Sequence, residues 1–142
     1  MQNLEPTLII GDTDQLRLLS LLDLHDTPAA EKLSTELHRA VIVGQGDVPA
    51  DVVTMNSEVV YEDCETLARR TVTIVYPQDA DAAHGRISVL APIGSALLGL
   101  RVGQTISWQV PNGTKQIRVV ELHQPGAQVP IVHVSSTRKA LV

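Results

Sequence analysis

Between Arg86 and Ile106, in RISVLAPIGSALLGLRVGQTI, the spacing of apolar positions changes twice. Ile87, Val89 and Leu90 read as a short strand that breaks at Ala91-Pro92. Proline suits the first turn of a helix, where its missing N–H costs nothing and its φ is already helical. Ile93, Leu97 and Leu100 then recur every three or four residues, the stripe of a buried helix. Gly99 and Gly103 close the segment, and Gly103 is expected at positive φ before a strand over Gln104–Val110. The rest of the chain is organised around this strand–helix–strand unit.

Towards the N-terminus, Leu8-Ile9-Ile10 predicts a short strand. Asp12 with Gln15 three residues on predicts a capped helix start. Leu16, Leu18, Leu19, Leu21 and Leu22 give that helix a wide apolar face, which stops near Leu24-His25-Asp26. Thr27-Pro28 starts a second helix whose stripe is Ala30, Leu33, Leu37, Ala40 and Val41. Two amphipathic helices joined so briefly should pack antiparallel as a hairpin. The Gly44–Pro49 run marks a boundary, dividing the chain into residues 1–46 and 47–142. Beyond it the period shortens. Val52–Tyr61 reads as one long strand, bulged near Asn56-Ser57, and Arg70–Tyr76 as a second with Val72, Ile74 and Tyr76 on one face. Pro77–Gly85 is a polar loop, Pro111–Thr114 a hairpin turn and Gln116–Leu122 the return strand. Val129–Val134 is an edge strand or a partner contact. The expected fold is α+β: a short helical hairpin followed by a strongly bent antiparallel sheet carrying one short helix.

The composition fits a folded soluble protein. Of 142 residues, 44% are hydrophobic and 19% charged, outside the disordered range. Aromatics make up 2%, and phenylalanine is missing. The core must therefore be aliphatic, and aromatic pockets or base-stacking platforms are disfavoured. Cys64 is alone, with no disulfide partner and no metal-ligand spacing. No apolar run approaches the roughly 18 residues of a membrane span, and no basic-apolar leader opens the chain, so the expected location is cytoplasmic. Net charge is -5, concentrated in residues 1–44, where three basic groups face seven acidic ones. That is no footprint for nucleic acid; a basic protein surface is the complementary partner.

Few residues point to chemistry. Asp79, Asp81 and His84 share a loop but lack the glycine and terminal glutamate of a calcium loop, so a solvated loop is the expectation. His25, His38, His84, His123 and His133 are scattered without paired spacing, and Gly94, Gly99 and Gly103 are wrongly spaced for a nucleotide cradle. No metal or cofactor is expected. Asp23 and Asp26, with His25 between them, form the tip of the hairpin, where polar residues also belong for purely structural reasons. Leu90-Ala91-Pro92-Ile93 is either buried core or a partly exposed apolar contact.

ISVLAPIGSALLGLRVG (Ile87–Gly103), followed by the PNG turn and a closing strand, resembles the C-terminal signature of the bacterial Gre transcript cleavage factors (the GreA/GreB family). DVVTMNS (Asp51–Ser57), VYP (Val75–Pro77) and the short leading hairpin are similar to the Rnk branch, regulators of nucleoside diphosphate kinase. The resemblance implies an N-terminal coiled-coil hairpin, a C-terminal FKBP-like domain, and binding to RNA polymerase near its secondary channel without independent catalysis. The docking surface it implies is Leu90, Ala91, Pro92, Ile93 and Gly94. Gre domains carry Asp-Ser-Pro at the equivalent turn, so here the proline is kept and the acidic residue replaced by Leu90.

In Gre factors a long coiled coil carries acidic residues that hold a catalytic magnesium. Each helix here has about 11–16 residues, a rise of ~17–24 Å, too short to reach the polymerase active centre. A regulator competing with Gre factors is the leading expectation. Transcript cleavage through Asp23 and Asp26 is the enzymatic alternative. A prolyl isomerase is a third, weakened by the aromatic count and by the independence of function from fold. A homodimer is compatible with the sequence and not required by it.

Overall fold

The computed structural model describes residues 8–125. Strand β1 (Ile9–Gly11) leads into helix α1 (Asp12–Leu22), which turns into α2 (Pro28–Arg39) and strand β2 (Val41–Val43). β1 and β2 pair in parallel, so a two-stranded ribbon closes the base of the hairpin. The second helix starts as expected: Thr27 Oγ1 accepts the Ala30 N–H at 3.1 Å and Pro28 occupies the first turn. The first does not. Its cap is Gly11, with no side-chain bond, and Asp12 already lies inside the helix. Leu18, Leu22, Ala30, Leu33 and Leu37 are buried between the helices, but Leu16 is largely exposed, and Val41 belongs to β2 instead of the helical stripe.

The remaining strands are β3 (Glu58–Asp63), β4 (Arg69–Val75), β5 (Arg86–Ser88), β6 (Thr105–Val110) and β7 (Gly113–His123). They form one sheet in the order β5-β4-β3-β7-β6. The expectation of an antiparallel sheet is corrected here: β4 and β5 are parallel, so the sheet is mixed. The loop Pro77–Gly85 contains two 3-10 turns and returns the chain to run beside β4 in the same direction. The long strand over Val52–Tyr61 is also corrected. Asn56 has φ +68°, and the strand begins only at Glu58. Ahead of it, Ser57 is fully buried, and its hydroxyl accepts the Thr54 N–H at 2.9 Å. A bulge falls between Val60 and Tyr61.

Helix α3 (Pro92–Leu97) packs on the sheet. It ends at Leu97, so buried Leu100 lies beyond it, and Gly99 and Gly103 both take positive φ. Buried residues of hairpin, α3 and sheet form one cluster, aliphatic apart from Tyr61 and Tyr76 and including Leu18, Leu37, Val59, Ile74, Leu97 and Val119. The boundary expected near residue 46 falls in a 3-10 turn, Gln45–Asp47, that hydrogen-bonds back to α1. The edge strand expected at Val129–Val134 lies outside the described residues.

Candidate functional site

The turn from β5 into α3 is built by Ser88. Its side-chain oxygen accepts the Leu90 N–H at 3.0 Å, and its carbonyl accepts the Ala91 N–H at 2.9 Å. Ala91 is extended at the cap position, Pro92 begins the helix, and the Ser95 N–H reaches the Ala91 carbonyl at 3.0 Å. The turn is thus held by its own backbone and one hydroxyl. Gly94 is fixed by contact: a Cβ there would lie 2.2 Å from the Ser88 carbonyl oxygen. Of the five residues expected to dock a partner, Gly94 is buried, Leu90, Ala91 and Ile93 are half-buried, and Pro92 is exposed. Leu90 and Ile93 also pack against the core. The turn is therefore partly core and partly exposed, and what faces outward is small, uncharged and apolar.

At the other end, Asp23 follows α1 and Asp26 precedes the cap of α2, both exposed, with Leu24 between them 81% exposed. His25 is half-buried, its Nδ1 3.1 Å from the Leu21 carbonyl. Asp23 and His25 border an open cleft of about 410 Å³ between the helices, with Glu31 and His38 on its far side. Asp26 is not among its lining residues. Among the described residues no three His, Cys, Asp or Glu side chains are grouped to hold a metal. That includes the loop with Asp79, Asp81 and His84, where His84 Nδ1 instead meets Asp81 Oδ2 at 2.7 Å.

Three groups that spacing did not reveal fix the hairpin to the sheet. The Arg17 guanidinium lies 4.6 Å from the centre of the Tyr76 ring, a cation–π contact. Tyr76 is buried, and its hydroxyl has no hydrogen-bond partner among the described residues. Burial raises the Tyr76 phenol above its ordinary pKa, neighbouring Asp14 adds to the shift, and Arg17 opposes it. Burial also raises Asp14, against hydrogen bonds from Gln45 and the Met55 backbone and the charge of Arg17. Helix α1 and the end of β4 thus meet through a charged, partly desolvated joint that orients the hairpin. Nothing local in the sequence marks it, because Arg17 and Tyr76 lie in different halves of the chain.

A second charged group sits at the far end of the sheet. Buried Glu62 pairs with Arg69 at 3.6 Å and Arg118 at 3.5 Å, its register partners on β4 and β7. Beside it, hydrogen bonding to Lys115 first, then to the backbone N–H groups of Thr66 and Glu65, holds Asp63 down to about 2.

The scaffold is a short helical hairpin mounted on a mixed sheet, with a proline-led turn between the edge strand β5 and helix α3. Comparison with known proteins gives that scaffold its family. Residues 48–124 match the family described as transcription elongation factor GreA/GreB, C-terminal, and residues 6–43 match the Rnk N-terminus. The chain is 42% identical over 127 residues to the regulator of nucleoside diphosphate kinase of Escherichia coli K12, covering 86% of this chain and 93% of that protein. It is 39% identical over 95 residues to the transcription inhibitor protein Gfh1 of Thermus aquaticus, covering 66% of this chain and 59% of that one. A solved GreA/GreB elongation factor from Nitrosomonas europaea superposes with a TM-score of 0.72 at 40% identity, covering 84% of this chain and all of the other. The chain belongs to the GreA/GreB family, with the N-terminal region of its Rnk members. No helix among the described residues is long and apolar enough to cross a membrane.

Proposed function

We propose that this protein is a transcription regulator that binds RNA polymerase near the secondary channel and competes there with Gre-type factors, without cleaving RNA itself. The C-terminal part, residues 47–142, is taken as an FKBP-like docking domain, and residues 1–46 as a short coiled-coil arm. The observation that carries this reading is the combination of a Gre-type C-terminal half with helices of only 11 and 12 residues. At ~1.5 Å per residue such an arm rises about 17–18 Å. That length obstructs a channel entrance and leaves Asp23 and Asp26 well short of a deep active centre. In this reading Leu90–Gly94 supplies the docking turn, and its apolar character makes polymerase contact at that point a matter of fit more than of charge. Regulation of nucleoside diphosphate kinase, the activity for which the E. coli relative is named, would be a consequence at the level of transcription.

The test is equilibrium binding to core RNA polymerase with an unlabelled Gre factor as competitor. Micromolar or tighter binding that the competitor displaces is expected, together with no shortening of RNA in stalled elongation complexes. Lack of binding would overturn the reading; RNA cleavage abolished by Asp23→Ala would replace it with the enzymatic one.

A further inference from the structure

A second cleft, of about 370 Å³, lies at the start of β4, the end opposite the Tyr76 contact with the hairpin. Its walls continue the core face of the sheet. Arg70 is two residues from buried Val72 and shares its face of β4. Register pairs Tyr61 with Arg70 and Asp63 with Ile117, so each pair also shares a face. The Tyr61 ring, buried Ile117 and half-buried Val110 make one part of the cleft apolar. The volume suits a small molecule.

The polar groups that line it have donors to spare. Tyr61 is 7% exposed, and its hydroxyl makes no hydrogen bond among the described residues. Unlike the Tyr76 hydroxyl, it is not sealed from solvent. Burial raises the Tyr61 phenol above its ordinary pKa and the Arg70 charge opposes the rise, so the hydroxyl stays protonated within reach of the guanidinium's field. Arg70 itself is exposed and has no ion pair among the described residues, whereas Arg69 and Arg118 share Glu62. Lys115 Nζ donates to Asp63 Oδ2 at 2.9 Å and keeps further N–H donors. Thr66 Oγ1 accepts the Ala68 N–H at 3.2 Å and can still donate its proton. Asp63 is the one carboxylate of the lining, and it is ionised at neutral pH, its pKa held down to about 2. Two cations against one carboxylate leave the cleft with a single positive charge, in a chain whose net charge is -5.

That surplus matches one carboxylate; a phosphate dianion would leave negative charge unpaired beside Asp63. We propose that this cleft binds a small organic monocarboxylate, with the Tyr61 hydroxyl and the Arg70 guanidinium on the carboxylate and the acid's apolar body against Ile117 and Val110. The site is separate from the Leu90–Gly94 turn and stands apart from the polymerase reading.

Titration of the full chain with N-acetyl-leucine, followed by backbone amide chemical shifts, tests it. Saturable shifts are expected at Thr66, Ala68 and Lys115. The neutral N-acetyl-leucinamide should bind at least about tenfold more weakly, because it lacks the charge that Arg70 would pair. Arg70→Gln and Tyr61→Phe should each weaken the acid at least about fivefold. Arg70 is exposed and phenylalanine keeps the ring, so both variants should hold their urea midpoints. No saturable binding, equal binding of acid and amide, or unchanged affinity in either variant overturns the proposal. Displacement of the acid by a lower concentration of inorganic phosphate also overturns it, by assigning the cleft to a dianion.

Discussion

Gln45 and Asp14 exchange two hydrogen bonds. The Asp14 N–H donates to Gln45 Oε1 at 2.9 Å, and Gln45 Nε2 donates to Asp14 Oδ2 at 3.3 Å. The Gln45 N–H also reaches Asp12 Oδ1 at 3.1 Å. Helix α1, whose own cap residue Gly11 has no side chain, is therefore capped by a residue from beyond the second helix.

Gln45→Ala should remove this cap and cost about 1 kcal/mol in urea denaturation. Gly11 shares the same space: a Cβ there would lie 2.3 Å from Gln45 Oε1. The obstructing group is the end of a flexible side chain, so Gly11→Ala should destabilise mainly by displacing the cap. The double variant should lose clearly less than the sum of the two single ones. Simple additivity would mean that Gly11 and Gln45 act separately.

Gly94→Ala offers a contest between two effects of known sign. Alanine is favoured over glycine inside a helix by about 1 kcal/mol. The added methyl, however, meets the Ser88 carbonyl oxygen at 2.2 Å, and that oxygen is held by the Ala91 N–H. The obstacle is backbone within a hydrogen-bonded turn, so the steric term should win, with a net loss of about 1–3 kcal/mol. A neutral or raised urea midpoint would mean that α3 moves off β5 more freely than this packing implies.

These two glycines show where the sequence was legible and where it was not. Thr27-Pro28 announced α2 because the cap oxygen and the N–H that donates to it are three residues apart. Asp12 misled by one position because the true cap comes from Gln45, more than thirty residues away, and no local pattern records it. Val41 falls in helical register with Leu37 and so reads as the end of the stripe; the strand character of Val41–Val43 depends on pairing with Ile9–Gly11 at the other end of the hairpin. Alternation carried Val52–Tyr61 as one strand, whereas the positive φ of Asn56 ends the extended run. The parallel placement of β5 depends on how two 3-10 turns fold the Pro77–Gly85 loop, which apolar spacing does not encode. The Pro92 turn was legible because proline, glycine and the helical stripe all act locally. The Arg17–Tyr76 joint was not, because it links distant elements.

Asp63 predicts a pH dependence. Its pKa falls from 3.8 to about 2 because Oδ2 accepts a bond from Lys115 Nζ at 2.9 Å, while Oδ1 accepts the Thr66 and Glu65 N–H groups at 3.1 and 2.8 Å. A carboxyl lowered by folding stabilises the native state fully above its unfolded value, and that stabilisation is lost as pH falls through the folded one. The Asp63 contribution should therefore be constant at neutral pH and disappear between about pH 4 and 2. Urea midpoints measured across that range should fall less steeply for Asp63→Asn than for the native chain, with the variant already weaker at pH 7. Lys115→Met should flatten the same window. Identical slopes in all three proteins would remove the Asp63–Lys115 bond from the acid response.

The docking turn needs substitutions that separate contact from packing. Leu90→Asp is a poor choice by itself, because Leu90 packs on the core and the change should destabilise the fold as well as any interface. Ala91 is half-buried and Pro92 exposed, and neither side chain makes a hydrogen bond. Ala91→Asp combined with Pro92→Glu puts two charges on the outward side of the turn and leaves the Ser88 scaffold intact. The double variant should keep most of its urea stability and bind core RNA polymerase at least about tenfold more weakly, a loss of roughly 1.4 kcal/mol. Because the native turn is uncharged, raising the salt concentration should not restore binding; the loss comes from desolvating carboxylates against an apolar partner surface. Unchanged affinity in the folded variant would move the interface elsewhere, and the Arg69, Arg118 and Lys115 end of the sheet, with its charges of the opposite kind, would be the next surface to substitute.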